Sequence, residues 1–134
     1  MDVAEKLKQI DYTVESDKSF DAAVAGVESK SSEKGFRVLH THDVAATLNE
    51  KGFPREPLKI IEVCNAKYAS QVLDADIKVA LMLPCPISVY TSQGKTYIST
   101  MLPSLMGEFF ANPQIAKVAG EVEKAVLEVV NEAK

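Results

Sequence analysis

The C-terminal end of the chain sets the strongest condition on its fold. From Asn112 onward, Ile115, Val118, Ala119, Val122, Val126 and Val129 recur at three- and four-residue steps. That spacing is the broad apolar stripe of an amphipathic helix. Asn112 and Pro113 supply its cap and first turn. About twenty residues of helix span ~30 Å. A face of that length is normally laid on a sheet, so the rest of the chain must supply strands to meet it.

Five candidate strands are present. Ile10, Tyr12 and Val14 alternate within residues 8–15, and residues 36–42 (FRVLHTH) alternate again. Residues 58–64 form a third apolar run. A fourth opens at 79–83, is interrupted by Pro84 and Pro86, and resumes at 87–90. Ser92, Gln93 and Gly94 then turn the chain into a fifth strand at 95–100, a hairpin. Between the strands lie helices with readable ends. Ser19 caps a stripe of Phe20, Ala23, Val24 and Val27, Asp43 caps VAATLNEK, and Asn65 caps a helix of about two turns. The tetrapeptide EKGF occurs twice, and both copies read as helix stops, with Gly35 in a left-handed cap and Gly52 ending the second helix. The expectation is a single α+β domain over residues 1–134: a mixed sheet of about five strands, covered by helices, with a long C-terminal amphipathic helix.

Composition narrows the function. The net charge is −4 and the fifteen basic residues are scattered, which argues against nucleic acid as a partner. The N-terminal MDVAEKLKQIDY has no continuous apolar core and no run approaches a membrane-spanning length. No membrane association is expected, and the expected setting is a reducing cytoplasm, where the two cysteines are thiols.

Three sets of residues can carry chemistry. Cys64 ends a strand just before Asn65 starts a helix, a setting in which cysteines become nucleophilic; the alternative is a small buried hydrophobe. Cys85 lies in Pro84-Cys85-Pro86, where neither neighbour has a backbone N–H to pair. If the third and fourth strands are parallel neighbours, both thiols fall six residues after a strand start and within disulfide range. His40 and His42, two apart on a strand, share a face and with Asp43 suggest a zinc or iron site; the alternative is a pair of strand histidines beside a helix cap. Met101, Met106, Phe109 and Phe110 read as core, an apolar pocket or an oligomer interface. No P-loop, GxGxxG or serine–histidine–acid arrangement is present, so no reaction class follows and no cofactor is specified.

With these residues laid out, CNAKYASQVL followed by LMLPCPISVY resembles the bacterial and archaeal domain-of-unknown-function family 302. That family pairs a strand ending in Cys-Asn, an Ala-rich helix and a Leu-Pro-Cys strand. Upstream, KGFRVLHTHDVAATLNEKG resembles its GF-x-VL segment and Asp-Val-x-x-Thr-Leu helix, and NPQIAKVAGEVEKAV resembles its end. The resemblance covers nearly the whole chain. It implies a compact α+β domain that often forms homodimers, with no established activity. Motif by motif it points to Cys64, Asn65, Pro84, Cys85 and Asp43. Ala66 stands where many members have proline, and Pro86 where many have a polar residue, often asparagine.

The resulting expectation is a pocket at the ends of the third and fourth strands. Cys64 and Cys85 would be its thiol pair, with Asn65, Asp43 and Pro84 binding a small-molecule ligand. One alternative is a non-enzymatic homodimeric interaction module with structural cysteines. Another is a metal-binding domain through His40 and His42.

Overall fold

A computed structural model describes residues 9–134. Its strands are β1 (Asp11–Ser16), β2 (Arg37–Asp43), β3 (Leu58–Cys64), β4 (Cys85–Ser92) and β5 (Lys95–Met101). Between and after them come α1 (Phe20–Glu33), α2 (Val44–Glu50), α3 (Ala66–Ala75), a 3₁₀ helix (Ile77–Met82), α4 (Leu105–Phe109) and α5 (Pro113–Ala133). The strand expected at 8–15 is β1, with Lys8 outside the described residues.

The strands form one sheet in the order β1-β5-β4-β3-β2, and every neighbouring pair is antiparallel. The sheet is therefore antiparallel and not mixed. The difference arises between Cys64 and Cys85. Alternation alone reads residues 79–83 as the opening of a strand, but the chain there is the 3₁₀ helix. Asp76 Oδ1 accepts from Lys78 N at 2.9 Å and starts that helix. Val79 is fully buried and Met82 packs partly against the core, while Ile77 and Leu81 face solvent, so the run does not alternate as a strand would. α3 and the 3₁₀ helix bring the chain back to the end of the sheet it left, and β4 runs against β3.

Helices α1 and α5 pack on one face of the sheet and on each other. Inward side chains stand in rows across the strands: Val14, Ile98 and Val89; then Tyr12, Thr100, Ile87 and Ile61; then Cys85, Val63 and Val38. α5 buries Ile115, Val118, Ala119, Val122, Val126 and Val129 as its stripe predicts, together with Val130 and Ala133. Each fully buried Val or Ile contributes ~1.5–3 kcal/mol, well above the ~0–1 kcal/mol of an exposed ion pair. Apolar burial, rather than the contacts of Lys34 with Glu128 and Glu132, holds α5 in place. The opposite face of the sheet is formed by residues including Leu58, Ile60, Ser88, Tyr90, Tyr97 and Ser99, and none of these is buried.

Candidate functional site

The two cysteines meet where β3 ends and β4 begins. Val63 is the cross-strand partner of Cys85, so Cys64 stands one residue past the position opposite Cys85 in an antiparallel pair. They are brought together by the return of the chain, not by the parallel register expected from the sequence. Both are free thiols.

Asn65 fixes the local geometry. Its backbone is extended and its Oδ1 accepts from Tyr68 N at 3.2 Å, which caps α3. Its Nδ2 donates to the carbonyl oxygen of Gly35, also at 3.2 Å. Gly35 follows α1 with φ +86°, a left-handed conformation that glycine adopts without steric cost. One asparagine thus ties the α1–β2 turn to the start of α3, with Cys64 held between its strand and that cap. Gly35 and Gly52, with φ +85°, both end helices as the repeated EKGF suggests.

Both cysteines line one small cavity, walled by Phe36, Tyr68, Val72, Leu83, Met106 and Val122. Its free space is about 20 Å³, room for a single water-sized molecule. No charged side chain lines it. The consequence falls on Cys85: burial pushes its thiol up from the ordinary 9.0 to about 11, and the nearby charge of Cys64 adds to the shift. A thiolate in an apolar wall loses hydration that nothing there replaces. At neutral pH Cys85 is therefore a protonated thiol.

Pro84 lies outside this cavity. With Pro86, Leu81, Met82 and Leu83 it lines an open apolar groove of about 480 Å³. Pro86 sits within β4 opposite Glu62, while the β4–β5 pairing starts one residue later at Ile87–Thr100. A residue without an N–H is thus accommodated near the interior of the sheet. A second void of about 20 Å³, lined by Cys85, Met82, Met101 and Met106 among others, adjoins the groove.

Asp43 is also apart from the cysteines. It caps α2 through Oδ1, accepting from Ala46 N at 2.9 Å, and lines a polar hollow with Asn49, Arg55 and Lys59. It pairs with Lys59 at the start of β3 whereas Cys64 ends that strand, a separation of roughly 17 Å at ~3.3 Å per residue. His40 and His42 stand on the uncovered face of the edge strand β2, ring edge to ring face with centroids 4.4 Å apart. His42 Nε2 lies 2.8 Å from Glu62 Oε1. Among the described residues no group of three or more His, Cys, Asp or Glu is arranged to hold a metal ion.

Of the residues singled out from sequence, the structure therefore assembles Cys64, Asn65 and Cys85 and leaves Pro84, Asp43 and the histidines elsewhere. The walls Phe36, Tyr68 and Leu83 were not anticipated as site residues, whereas Met106 belongs to the Met/Phe cluster that the sequence offers as core, pocket or interface. Tyr68 carried a signal, since it lies three residues after a helix cap and turns back over it. Glu62 had one too: it points to the same face as His42 by strand alternation.

No curated protein matches the chain. Among solved structures it is similar to the crystal structure of an uncharacterized conserved protein, DUF302, from Bacillus stearothermophilus. The TM-score is 0.89 at 28% identity, over 94% of this chain and 99% of that one. The model of the family described as "Domain of unknown function DUF302" matches residues 12–133. The chain therefore belongs to the DUF302 family, an α+β domain that here carries no assigned activity.

Proposed function

We propose that Cys64 and Cys85 form a dithiol that reduces a small disulfide substrate. The observation that carries this reading is that both cysteines line a single cavity at one end of adjacent strands. Cys64 is the attacking sulfur, because Cys85 is held as a thiol at neutral pH. The Cys64 thiolate attacks one sulfur of the substrate disulfide and releases the other half as a thiolate. Cys85 gives up its proton to that leaving thiolate and displaces the second half from Cys64. One substrate disulfide becomes two thiols, and the protein dithiol becomes the Cys64–Cys85 disulfide. Asn65 positions Cys64 through the α3 cap.

Thiol counting by mass-tagging under native conditions tests this, before and after incubation with oxidised glutathione. The expected result is loss of both tags within one monomer, restored by reductant. Retention of both tags, or a disulfide between two chains, would overturn it.

The uncovered sheet face favours a second reading, a homodimeric interaction module whose cysteines only pack. Its β1 edge carries Asp11 and Glu15, and its β2 edge carries Arg37, His40 and His42. A two-fold axis parallel to the strands sets each acidic edge over its partner's basic one. Sedimentation at micromolar concentration should then give twice the chain mass, and Ile60→Glu should return it to monomer. A monomer in the unsubstituted protein excludes this reading.

A further inference from the structure

Large apolar side chains are normally packed, yet Leu81, Phe109 and Met101 are 86%, 54% and 47% exposed and all line the same groove. Its walls are the 3₁₀ helix, the start of β4, the end of β5 and α4. All eight lining residues are apolar: Leu81, Met82, Leu83, Pro84, Pro86, Met101, Phe109 and Phe110. Two of them are prolines, so the floor lacks backbone N–H groups at both positions. Among the described residues an occupant finds neither a charge nor a side-chain hydrogen bond there.

Size separates the possible occupants. A protein partner needs roughly 20–30 residues on each side and would have to extend from this groove onto the uncovered sheet face that Pro86 and Met101 border, whereas the groove alone has the size of a small-ligand site. A volume of about 480 Å³ lies within the ~300–1,000 Å³ typical of small-molecule sites. We propose that this groove is a binding site for an uncharged apolar small molecule, an alkyl or aryl group without a charged end. Met82, Pro86 and Met101 line both the groove and the void beside Cys85. Methionine side chains are unbranched and reshape easily, so a bound apolar group lies one methionine layer from that sulfur. The link to Cys85 rests on the dithiol reading and would make the substrate an apolar disulfide; the groove itself does not depend on it.

The test is a fluorescence titration of the full chain with N-phenyl-1-naphthylamine, an uncharged apolar dye. Saturable binding at one site per chain is expected. A Leu81→Ser/Phe109→Ser variant should weaken it at least tenfold with an unchanged melting temperature, since both side chains are solvent-facing. Phe53→Ser is the control, because Phe53 is 66% exposed but lies outside the groove; its affinity should be unaltered. Absence of saturable binding, or an equal loss in the Phe53 variant, overturns the proposal. So does sedimentation showing a dimer that the groove variant dissociates, since the occupant is then a second copy. Dye binding retained by a Cys64→Ala/Cys85→Ala variant, with no disulfide formed in the unsubstituted protein, sinks the dithiol reading and leaves the groove standing.

Discussion

Raising the pH should remove a specific part of this protein's stability, and the amount follows from one side chain. Burial holds Cys85 at about 11 against its ordinary 9.0. Below pH 9 the thiol is protonated in the folded and unfolded chain alike, so its contribution is fully present. Between 9 and about 11 the unfolded chain ionises first, the unfolded state gains, and stability falls. Above 11 both states are ionised and the loss is complete. At 1.36 kcal/mol per pH unit the total is ~3 kcal/mol. Tyrosines and lysines titrate in the same range, so the quantity to measure is a difference. Urea denaturation of the reduced protein and of Cys85→Ala, each from pH 7.5 to 11.5, isolates it. The gap between the two curves should be constant to pH 9 and then shift by ~3 kcal/mol against the protein that retains Cys85. In a Cys64→Ala background the shift should be smaller, because the charge of Cys64 contributes to it. A gap that stays flat to pH 11.5 would refute the claim that this thiol is desolvated.

Two further outcomes follow from hydrogen-bonding groups. Asn65→Ala removes both the α3 cap and the tie to Gly35, so it should cost ~1–2 kcal/mol in chemical denaturation. A loss below a few tenths would mean the cap and tie contribute little. Ser31 is fully buried in α1 and its hydroxyl has no hydrogen-bond partner among the described residues. Ser31→Ala relieves that desolvation and improves helix propensity, and should raise stability by ~1 kcal/mol; a lower melting temperature would contradict it.

The sequence reading succeeded where a boundary has local chemistry. Ser19, Asp43, Asn65 and Asn112 all cap helices through their side chains. Gln93 and Gly94, both with positive φ, form the two-residue hairpin turn that the sequence places between β4 and β5. The reading failed at 79–83, where a short apolar run fits a strand as well as a turn of helix around the buried Val79. Strand direction was lost with it, because nothing local says whether a twenty-residue connection crosses a sheet or returns to the same end. That Cys64 and Cys85 both lie at strand ends was nevertheless legible, since each stands beside a helix cap or a proline, and both line the cavity. The separation of Asp43 from them was not: proximity in sequence carries no information about which end of β3 a residue faces, and Pro84, though next to Cys85, lines the neighbouring groove instead.

The strand order also bears on how the chain assembles. β2, β3, β4 and β5 each lie beside the next strand in sequence, but β1 pairs with β5, joining Asp11 to Met101 and Ser16 to Thr96. Closing a loop of some eighty to ninety residues costs ~1 kcal/mol more than closing one of twenty. The meander from β2 to β5 can therefore form its ladders first, and the edge strand adds afterwards, once α5 and the inner face of the sheet are in place to receive Tyr12 and Val14. Contacts made by β1 then belong to the late side of the folding barrier, so they govern how slowly the native state opens rather than how quickly it forms.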